Sequence, residues 1–211
     1  MPVIELRKIP LDYFHNFITK KAFDILFSLF VLIALSPVLL AIAAAIKLTS
    51  KGPVFYKPVR KGEGGYDFTC YKFRSMITDY DPKLKNVSTM KDDPRVTSIG
   101  RFMRKYNIDE MPQFLNVLKG DMSVIGPRPH RVSLNKDMQG SVDRYMVRHY
   151  VKPGITGWAQ VNGWRGPTET DEQKEERSKH DLWYIRNWSF LLDLKIVWLT
   201  VFSKKSRMNA F

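Results

Sequence analysis

The chain has 211 residues, and its 34 lysines and arginines against 21 aspartates and glutamates give a net charge of +13. This length suffices for one domain with a hydrophobic core, and the basic surplus favours anionic partners: nucleic acid, anionic lipid headgroups or phosphorylated substrates. The single cysteine, Cys70, excludes an internal disulfide bond and a cysteine-rich zinc site, and we predict that it is a small buried residue of a strand.

The first 50 residues contain the main hydrophobic segment. Residues 1–21 are predicted to be a basic N-terminal arm with one short interfacial helix. Residues 25–46 carry no charge over 22 positions, which reaches the roughly 20 residues that a helix needs to span a bilayer. Proline in Ser36-Pro37 interrupts the middle of this run, and lysines flank both of its ends, which favours a cytoplasmic location for both.

We therefore predict that residues 22–50 form a re-entrant membrane helix that is broken at Ser36 and Pro37. The Ser36 hydroxyl is expected to bond to a carbonyl that the kink frees. A straight span and a cleaved secretory signal are the alternatives, although the apolar run is longer than the usual signal, which has about 7–15 apolar residues.

A small β-sheet is predicted next. Residues 53–56 and 66–73 are rich in aromatics and form two short strands, and the glycine-rich residues 60–65 between them form a hairpin loop. Lys72 and Arg74 occupy alternate positions and so share one face of the second strand. A solvated edge and a phosphate contact both stay open for them, since a guanidinium matches phosphate oxygens.

Two adjacent carboxylates, Asp109 and Glu110, lie in the sequence between Arg104 and Arg128 of a Gly-Pro-Arg-Pro run. Adjacent carboxylates repel each other, so one pKa should rise unless a metal ion or an arginine compensates. The pattern suits a site that binds an anion and a divalent metal together. The alternative is a helix N-terminus, where acidic side chains interact favourably with the helix dipole.

The last third of the chain combines a glycine-tryptophan segment with two helices. Residues 152–166 contain four glycines and two tryptophans, which predicts an ordered loop that stacks a base or a sugar; anchoring of the tryptophans in the membrane interface is the alternative. Residues 168–184 are predicted to be a solvated charged helix, and residues 188–202 a helix that lies in the membrane interface.

These motifs together resemble the bacterial sugar transferases, the monotopic phosphoglycosyl transferases, over nearly the whole chain. The resemblance is carried by Ser36-Pro37, Tyr-Lys-Phe-Arg-Ser-Met at residues 71–76, Asp109-Glu110 with residues 111–123, Gly-Pro-Arg-Pro at residues 126–129, and residues 152–163. It implies a mainly α-helical fold with a small β-hairpin or sheet, with a re-entrant helix and interfacial amphipathic helices. Residues 51–211 would then be one cytosol-facing catalytic unit.

The resemblance also implies a reaction: transfer of a sugar-1-phosphate from a UDP-sugar to undecaprenyl phosphate, with release of UMP. In this family the aspartate of the pair attacks the donor's β-phosphorus and becomes a phosphosugar ester, so Asp109 is the expected nucleophile, Glu110 its partner, and Asp109 the ligand of Mg²⁺. Glucose-1-phosphate is the expected group, while galactose-1-phosphate and an N-acetylated sugar phosphate stay open. Five basic side chains are assigned to phosphate contacts: Lys72, Arg74, Arg104, Arg128 and Arg165.

Such a reaction is the first membrane step of exopolysaccharide, capsule or O-antigen-type glycan assembly. The expected partners are the UDP-sugar, the polyprenyl phosphate and lipid of the bacterial inner membrane, with the active site on the cytoplasmic face; a homodimer stays open. Nucleic acid is not an expected partner, because it would explain the charge but not the apolar run. A membrane-anchored scaffold without chemistry is the alternative from another class. The first residues resemble a junction in longer family members, so a natural short form and a truncated longer protein both stay open.

Overall fold

A computed structural model describes residues 9–77, 93–132, 138, 140, 145–166 and 170–203. The described part is mainly helical with small two-stranded sheets, which confirms the predicted fold class at this level. Its α-helices are α1 (Phe14–Thr49), α2 (Ser98–Lys105), α3 (Gln113–Lys119), α4 (Trp158–Val161), α5 (Asp171–Arg186) and α6 (Phe190–Phe202). Its strands are β1 (Phe55–Tyr56), β2 (Val59–Lys61), β3 (Asp67–Thr69), β4 (Lys72–Phe73), β5 (Ser123–Ile125) and β6 (Gly154–Thr156). Turns of 3-10 helix cover Pro10–Asp12, Glu63–Gly65, Ile108–Glu110 and Tyr145–Tyr150.

The helix α1 is 36 residues long and begins eight residues before the predicted segment 22–50. The reason is that no proline or glycine occurs between Pro10 and Pro37, so nothing in the sequence delays the helix once the turn Pro10–Asp12 has ended. Its most apolar 18-residue window has a mean hydropathy of 2.8 and is only 11% buried. Among the described helices, α1 is therefore the one that is long and apolar enough to cross a membrane.

Helical structure continues through Ser36 and Pro37, so α1 is not interrupted where the sequence predicts a break. Pro37 has no N–H, and the carbonyl that it leaves without a backbone donor is that of Ile33. Ser36 Oγ donates a hydrogen bond to this Ile33 carbonyl at 2.8 Å. A serine side chain that satisfies the freed carbonyl allows a helix to tolerate an internal proline, which explains why α1 persists.

Both ends of α1 are fastened to the same globular part of the chain. Near the start of the helix, Lys20 Nζ lies 2.8 Å from Oδ2 of Asp193 in α6. At its end, the Arg74 guanidinium donates to the Ser50 carbonyl at 2.8 Å. Between these ends the large apolar side chains are mostly exposed; they include Leu26, Phe30, Ile33 and Leu40. One side of the middle of α1 is thus an exposed apolar surface, whereas Phe27, Val31 and Leu32 pack against the main hydrophobic core.

The predicted β region contains more and shorter strands than expected. β1 pairs with β4 and β2 with β3, both antiparallel, whereas β5 and β6 are parallel. The predicted strand at residues 66–73 is therefore two strands, because the chain changes partner at Cys70 and Tyr71. The hairpin turn uses Gly64 and Gly65 at φ of 63° and 78°, which are conformations that favour glycine.

One main hydrophobic core joins the elements that follow α1. It includes Cys70, Phe114, Ile125, Tyr184 and Ile196. The Cys70 thiol is free and fully buried, as the sequence predicts, although it lies between β3 and β4 and not within a strand. A smaller apolar cluster connects the end of α1 to β4 and α2; its buried members are Ile42, Ile46, Phe73 and Met103.

The helix α5 is not the fully solvated helix that the sequence predicts. One face is buried, and it carries Arg177, Ser178, Asp181, Tyr184 and Ile185. Periodicity missed this face because charged residues that pair inside a protein look like surface residues in a sequence. The helix α6 instead exposes apolar side chains, Leu191, Trp198 and Phe202 among them, which suits the predicted position in a membrane interface.

Candidate active site

The two adjacent carboxylates lie in a short turn between α2 and α3. After α2 ends, Asn107 adopts the left-handed conformation with φ of 57°, which asparagine tolerates better than most residues. The 3-10 turn Ile108–Glu110 follows, and Pro112 then precedes α3. The pair therefore stands just before the N-terminus of a helix, so the capping alternative describes its place in the chain but not the contacts of its side chains.

Glu110 is buried and forms the centre of a cation cluster. Lys72 Nζ donates to Glu110 Oε1 at 2.7 Å, and Arg128 donates to Oε1 at 2.6 Å and to Oε2 at 3.1 Å. A third cation, Arg165, lies 3.7 Å from Oε2. Burial by itself raises the pKa of Glu110, but Arg128 and Lys72 outweigh it and hold the pKa well below its ordinary value. Glu110 is thus a permanently ionised carboxylate whose oxygens are both engaged.

Asp109 lies in the opposite environment. Burial, and after it the negative charge of Glu110, raise the pKa of Asp109, while Lys72 and Arg104 act against this rise. The sequence predicts that one pKa of the pair rises unless a metal ion or an arginine compensates; the pKa of Asp109 is raised, and Arg128 and Lys72 compensate at Glu110. Pairs of carboxyls whose environments separate their pKa values are typical of sites in which the two have different tasks.

Two further contacts fix the cations around the pair. Arg104 Nε donates to Ser75 Oγ at 2.9 Å, which holds the guanidinium on the side of Asp109. Arg165 donates to Asn107 Oδ1 at 2.6 Å, so the left-handed residue of the turn also holds a cation. Sequence analysis singled out neither Ser75 nor Asn107. An asparagine that directly follows a helix end was the available signal for the second of them.

The structure brings four of the five proposed phosphate-binding cations to the acid pair: Lys72, Arg104, Arg128 and Arg165. The fifth, Arg74, is buried, and its guanidinium donates to the carbonyls of Lys51 at 2.6 Å and Ser50 at 2.8 Å. These carbonyls follow the C-terminus of α1, so Arg74 caps this helix. Because β4 ends at Phe73, the alternation that would have kept Lys72 and Arg74 on one face no longer applies.

Close backbone packing holds Arg128 in place. The Gly126 N–H donates to the Thr156 carbonyl at 2.9 Å, which joins the start of the Gly-Pro-Arg-Pro run to β6. A Cβ atom on Gly154 would lie 2.0 Å from the Gly126 nitrogen, so only glycine fits at this crossing. Gly154 and Gly157 therefore serve backbone packing against Gly126, and residues 152–166 contain β6 and α4 where the sequence predicts a loop.

Two tryptophans were predicted to stack a base or a sugar. One of them, Trp158, instead contacts other side chains of the protein. Its ring stacks on that of Trp183 with centroids 4.9 Å apart, and Lys195 Nζ lies 5.7 Å from its centroid. Trp164 lies 6.2 Å from His180, in the residues that lead to Arg165. Trp158 thus packs α4 against α5, and Trp164 remains the tryptophan near the cation cluster.

The residues of the pair fit a magnesium ion only if a substrate supplies most of its ligands. Among the residues that the structure describes, no three His, Cys, Asp or Glu side chains form a group that would hold a metal ion. Both oxygens of Glu110 are taken by cations, so Asp109 is the carboxylate of the pair that can contact Mg²⁺. Protein Mg²⁺ sites commonly use one or two carboxylates together with substrate phosphates and water.

Comparison with known proteins shows the family to which the chain belongs. Residues 15–206 match the family model described as bacterial sugar transferase, and this range includes the acid pair and its four cations. The chain belongs to the bacterial sugar transferase family. This confirms the family that the motifs of the sequence resemble.

Named relatives of the family are similar over nearly the whole chain. The UDP-glucose:undecaprenyl-phosphate glucose-1-phosphate transferase of Klebsiella pneumoniae is 51% identical over 212 residues, which is 100% of this chain and 45% of the relative. The protein of the same name from Escherichia coli K12 is 49% identical over 202 residues, 96% of this chain and 43% of the relative. The UDP-N-acetylgalactosamine-undecaprenyl-phosphate N-acetylgalactosaminephosphotransferase of Aeromonas hydrophila is 44% identical over 183 residues, 86% of this chain and 42% of the relative. The chain thus spans less than half the length of these relatives.

Proposed function

We propose that this protein transfers a sugar-1-phosphate from a UDP-sugar to undecaprenyl phosphate and releases UMP. The observation that carries the proposal is the charge balance of the site, in which four cations surround two carboxylates. A surplus of fixed guanidinium and ammonium groups binds phosphate oxygens well, and the donor and the acceptor of this reaction both carry phosphate. The names of the relatives in Klebsiella pneumoniae and Escherichia coli supply the reaction that fits this chemistry.

In the first step, an Asp109 carboxylate oxygen attacks the β-phosphorus of the donor. A bond forms between this oxygen and phosphorus, the bond from phosphorus to the bridging oxygen breaks, and UMP leaves with the electron pair. The raised pKa of Asp109 makes the ionised carboxylate more basic, and hence a better nucleophile, than an exposed aspartate. The charge of Arg104 favours the ionised form that the attack requires.

In the second step, a phosphate oxygen of the lipid attacks the same phosphorus and Asp109 departs as a carboxylate. The acceptor phosphate is already largely ionised at pH 7, so the step needs no strong general base. Glu110 does not react, because its oxygens hold Lys72 and Arg128. Its task is to keep these cations where the transferred phosphoryl group develops charge.

We propose that Asp109 is the side chain that would hold Mg²⁺ when the donor is bound. The ion would neutralise part of the diphosphate charge. Because Asp109 would be its main protein ligand, we expect weak metal binding in the absence of nucleotide and tight binding in its presence. Calorimetric titration of Mg²⁺ with and without UDP tests this, and equal affinity in both would contradict it.

Glucose-1-phosphate is the group that we propose is transferred, because the relatives of 51% and 49% identity are named for it. N-acetylgalactosamine-1-phosphate is a second candidate, favoured by the Aeromonas hydrophila relative. Measurement of UMP release over a panel of UDP-sugars, with undecaprenyl phosphate in liposomes, separates the two. Release with none of these donors would refute the proposed function.

The covalent intermediate has its own test. Without lipid acceptor, protein mixed with UDP-glucose that is radiolabelled at the β-phosphorus should acquire the label on Asp109, and added UMP should remove it. Such exchange requires an enzyme-bound phosphosugar, because a single direct transfer from donor to lipid would label nothing in the protein.

We also propose that both ends of α1 lie on the cytoplasmic side of the inner membrane. The support is that Lys20 near its start and Ser50 after its end contact the same globular part, through Asp193 and Arg74 respectively. A straight helix of 36 residues would be about 54 Å long, so an apolar middle that enters and leaves one leaflet requires a bend, for which Pro37 is the obvious position.

Cysteine labelling tests this topology in a Cys70→Ser background. Cysteines introduced at His15 and at Lys51 should both react with a membrane-impermeant reagent added from the cytoplasmic side. Reaction from opposite sides would demonstrate a straight span.

A further inference from the structure

A second, fully buried layer of charged side chains lies behind the two arginines that flank Glu110. It consists of Arg148, Arg177 and Asp181, whose exposed fractions are 4%, 5% and 3%. None of the three contacts Glu110 or Asp109 in the described structure. They belong to the turn Tyr145–Tyr150 and to the helix α5, which the sequence presents as a solvated helix.

Arg148 connects this layer to Arg128. Its terminal nitrogen Nη2 donates to the Arg128 carbonyl at 2.7 Å and to Asp181 Oδ2 at 2.8 Å. The other nitrogen, Nη1, lies 2.7 Å from His130 Nδ1 and donates to Tyr145 Oη at 3.0 Å. The guanidinium therefore holds the backbone at Arg128 and, two residues later, the side chain of His130.

Arg177 connects the same layer to Arg165. Its Nε donates to the Trp164 carbonyl at 2.9 Å, and Nη2 donates to the Gly166 carbonyl. These two carbonyls lie immediately before and immediately after Arg165, so the backbone of Arg165 is held on both sides. Arg177 and Asp181 are four residues apart on α5 and thus share one face of this helix.

Asp181 is the negative charge that this layer has in common. It forms an ion pair with Arg148 in which both side chains are 3% exposed. Burial lowers the pKa of Arg177 to about 10, and Asp181 is the first group that acts against this shift. Asp181 thus holds Arg148 directly, whereas it acts on Arg177, four residues earlier on the same helix, only through its charge.

We propose that Asp181 is a positioning residue, which acts through Arg148 to place Arg128 against Glu110. The inference rests on the proposed function, because it assigns to Arg128 the binding of the donor's phosphates. It explains why a helix rich in charge turns one face inward. It also makes α5 the element on which the geometry of the phosphate site depends, although no residue of α5 contacts the acid pair.

Asp181→Asn tests the inference, with Asp193→Asn as the matched control. Both variants replace a buried aspartate that pairs with a cation, but Asp193 pairs with Lys20 and not with this layer. We expect Asp181→Asn to lower kcat/KM for UDP-glucose roughly 100-fold, with much of the loss in KM, because misplaced binding groups have effects of this size. Asp193→Asn should lower the melting temperature by a similar amount and leave the KM of the folded protein unchanged. Equal changes of KM in the two variants would overturn the inference.

A double-mutant cycle with Arg128→Lys distinguishes positioning from general stability. If Asp181 acts through Arg128, the loss of kcat/KM that Asp181→Asn causes should be much smaller in the Arg128→Lys background, because the coupled losses do not multiply. Losses that multiply in full would overturn the inference. Should Asp181→Asn not fold, Arg148→Lys replaces it: the lysine keeps an ion pair with Asp181 but loses the fork that reaches the Arg128 carbonyl, and the same loss of kcat/KM is expected.

Direct binding of UDP-glucose to the unmodified chain separates this inference from the proposed function. Binding and UMP release by the unmodified chain, together with an unchanged KM in Asp181→Asn, would refute the positioning role alone. No binding and no UMP release by the unmodified chain would refute the function and, with it, the role of Asp181.

Discussion

Two buried carboxylate clusters in this molecule are built from similar side chains and differ in their charge balance. Asp193 in α6 is completely buried and accepts hydrogen bonds from Lys20 at 2.8 Å, Tyr184 at 2.8 Å and Trp188 at 3.0 Å. A second carboxylate, Asp24, lies 3.6 Å from the same lysine. One cation thus serves two carboxylates, and neutral donors satisfy the rest. This cluster joins α1 to α5 and α6.

The cluster at Glu110 has the opposite balance. Lys72, Arg128 and Arg165 all lie within 4 Å of its oxygens, and Arg104 faces Asp109. Four cations thus accompany two carboxylates. Burial and ion pairing are common to both clusters, so neither property distinguishes them. The uncompensated positive charge does, and it favours the Glu110 cluster as the proposed site of an anionic substrate.

The largest effect on turnover is expected for Asp109→Asn, which removes the proposed nucleophile beside Glu110. The amide cannot attack phosphorus, so turnover should fall more than about 10⁴-fold, as for the loss of other catalytic nucleophiles. Donor binding should persist, because the cations remain, and stability should not fall, because the variant removes the repulsion between Asp109 and Glu110. UMP release, UDP-glucose binding and the melting temperature measure the three effects.

Asp121→Asn, at the other end of α3, is the control that should keep turnover. Substantial residual turnover in Asp109→Asn would exclude the covalent route.

Next in size is the response of the two clusters to the loss of their central carboxylate. Glu110→Gln should lower the free energy of unfolding by about 3–5 kcal/mol, because it leaves buried cations unpaired. Asp193→Asn should lower it by less, because Lys20 keeps Asp24 as its partner. Inorganic phosphate should then restore part of the stability of Glu110→Gln, since an anion can replace the lost charge among the cations. It should not restore Asp193→Asn, whose cluster is closed to solvent. Denaturant titrations at increasing phosphate concentration measure this, and equal restoration of both variants would remove the proposed distinction.

A smaller difference concerns pH, because the layer behind the acid pair contains a buried histidine. Burial, and after it the charge of Arg148, hold the pKa of His130 well below its ordinary value of 6.5. His130 therefore stays neutral in the folded protein, whereas the unfolded chain takes up this proton near pH 6.5. The contribution of His130 to stability is thus fully present above about pH 6.5 and decreases below it, by at most about 1.4 kcal/mol per pH unit.

His130→Gln should remove most of this slope. A smaller slope should remain, because burial also lowers the pKa of His149. His15→Gln is the matched control, since His15 is exposed and its replacement should leave the slope unchanged. The free energy of unfolding, measured from pH 7 to about pH 5, tests this prediction. Equal slopes against pH in the unmodified chain and His130→Gln would show that another group titrates.

The acid pair could be predicted as a candidate site because adjacent carboxylates among cations are visible along the chain. Lys72, Arg128 and Arg165 were predicted as phosphate contacts, and the structure brings them to Glu110 from β4, from the Gly-Pro-Arg-Pro run and from the segment after α4. The inward face of α5 was not predictable, because the partners of Asp181 come from distant parts of the chain. The start of α1 was missed for a local reason, because Tyr13 at its N-cap makes no side-chain capping bond and is not a residue type that marks a helix start.

Replacement of Arg74 has the smallest expected effect on stability. It tests whether Arg74 binds phosphate, as the sequence predicts, or only caps α1. If Arg74 caps α1, Arg74→Lys loses part of its hydrogen bonding to the Ser50 and Lys51 carbonyls and should lower the free energy of unfolding by about 1–2 kcal/mol. The KM for UDP-glucose should stay the same, because Arg74 does not contact the acid pair. Arg128→Lys is the comparison variant, since the same replacement among the four cations should raise this KM. A rise of KM in Arg74→Lys as large as that in Arg128→Lys would return Arg74 to the phosphate site, and would mean that helix capping and substrate binding share one guanidinium.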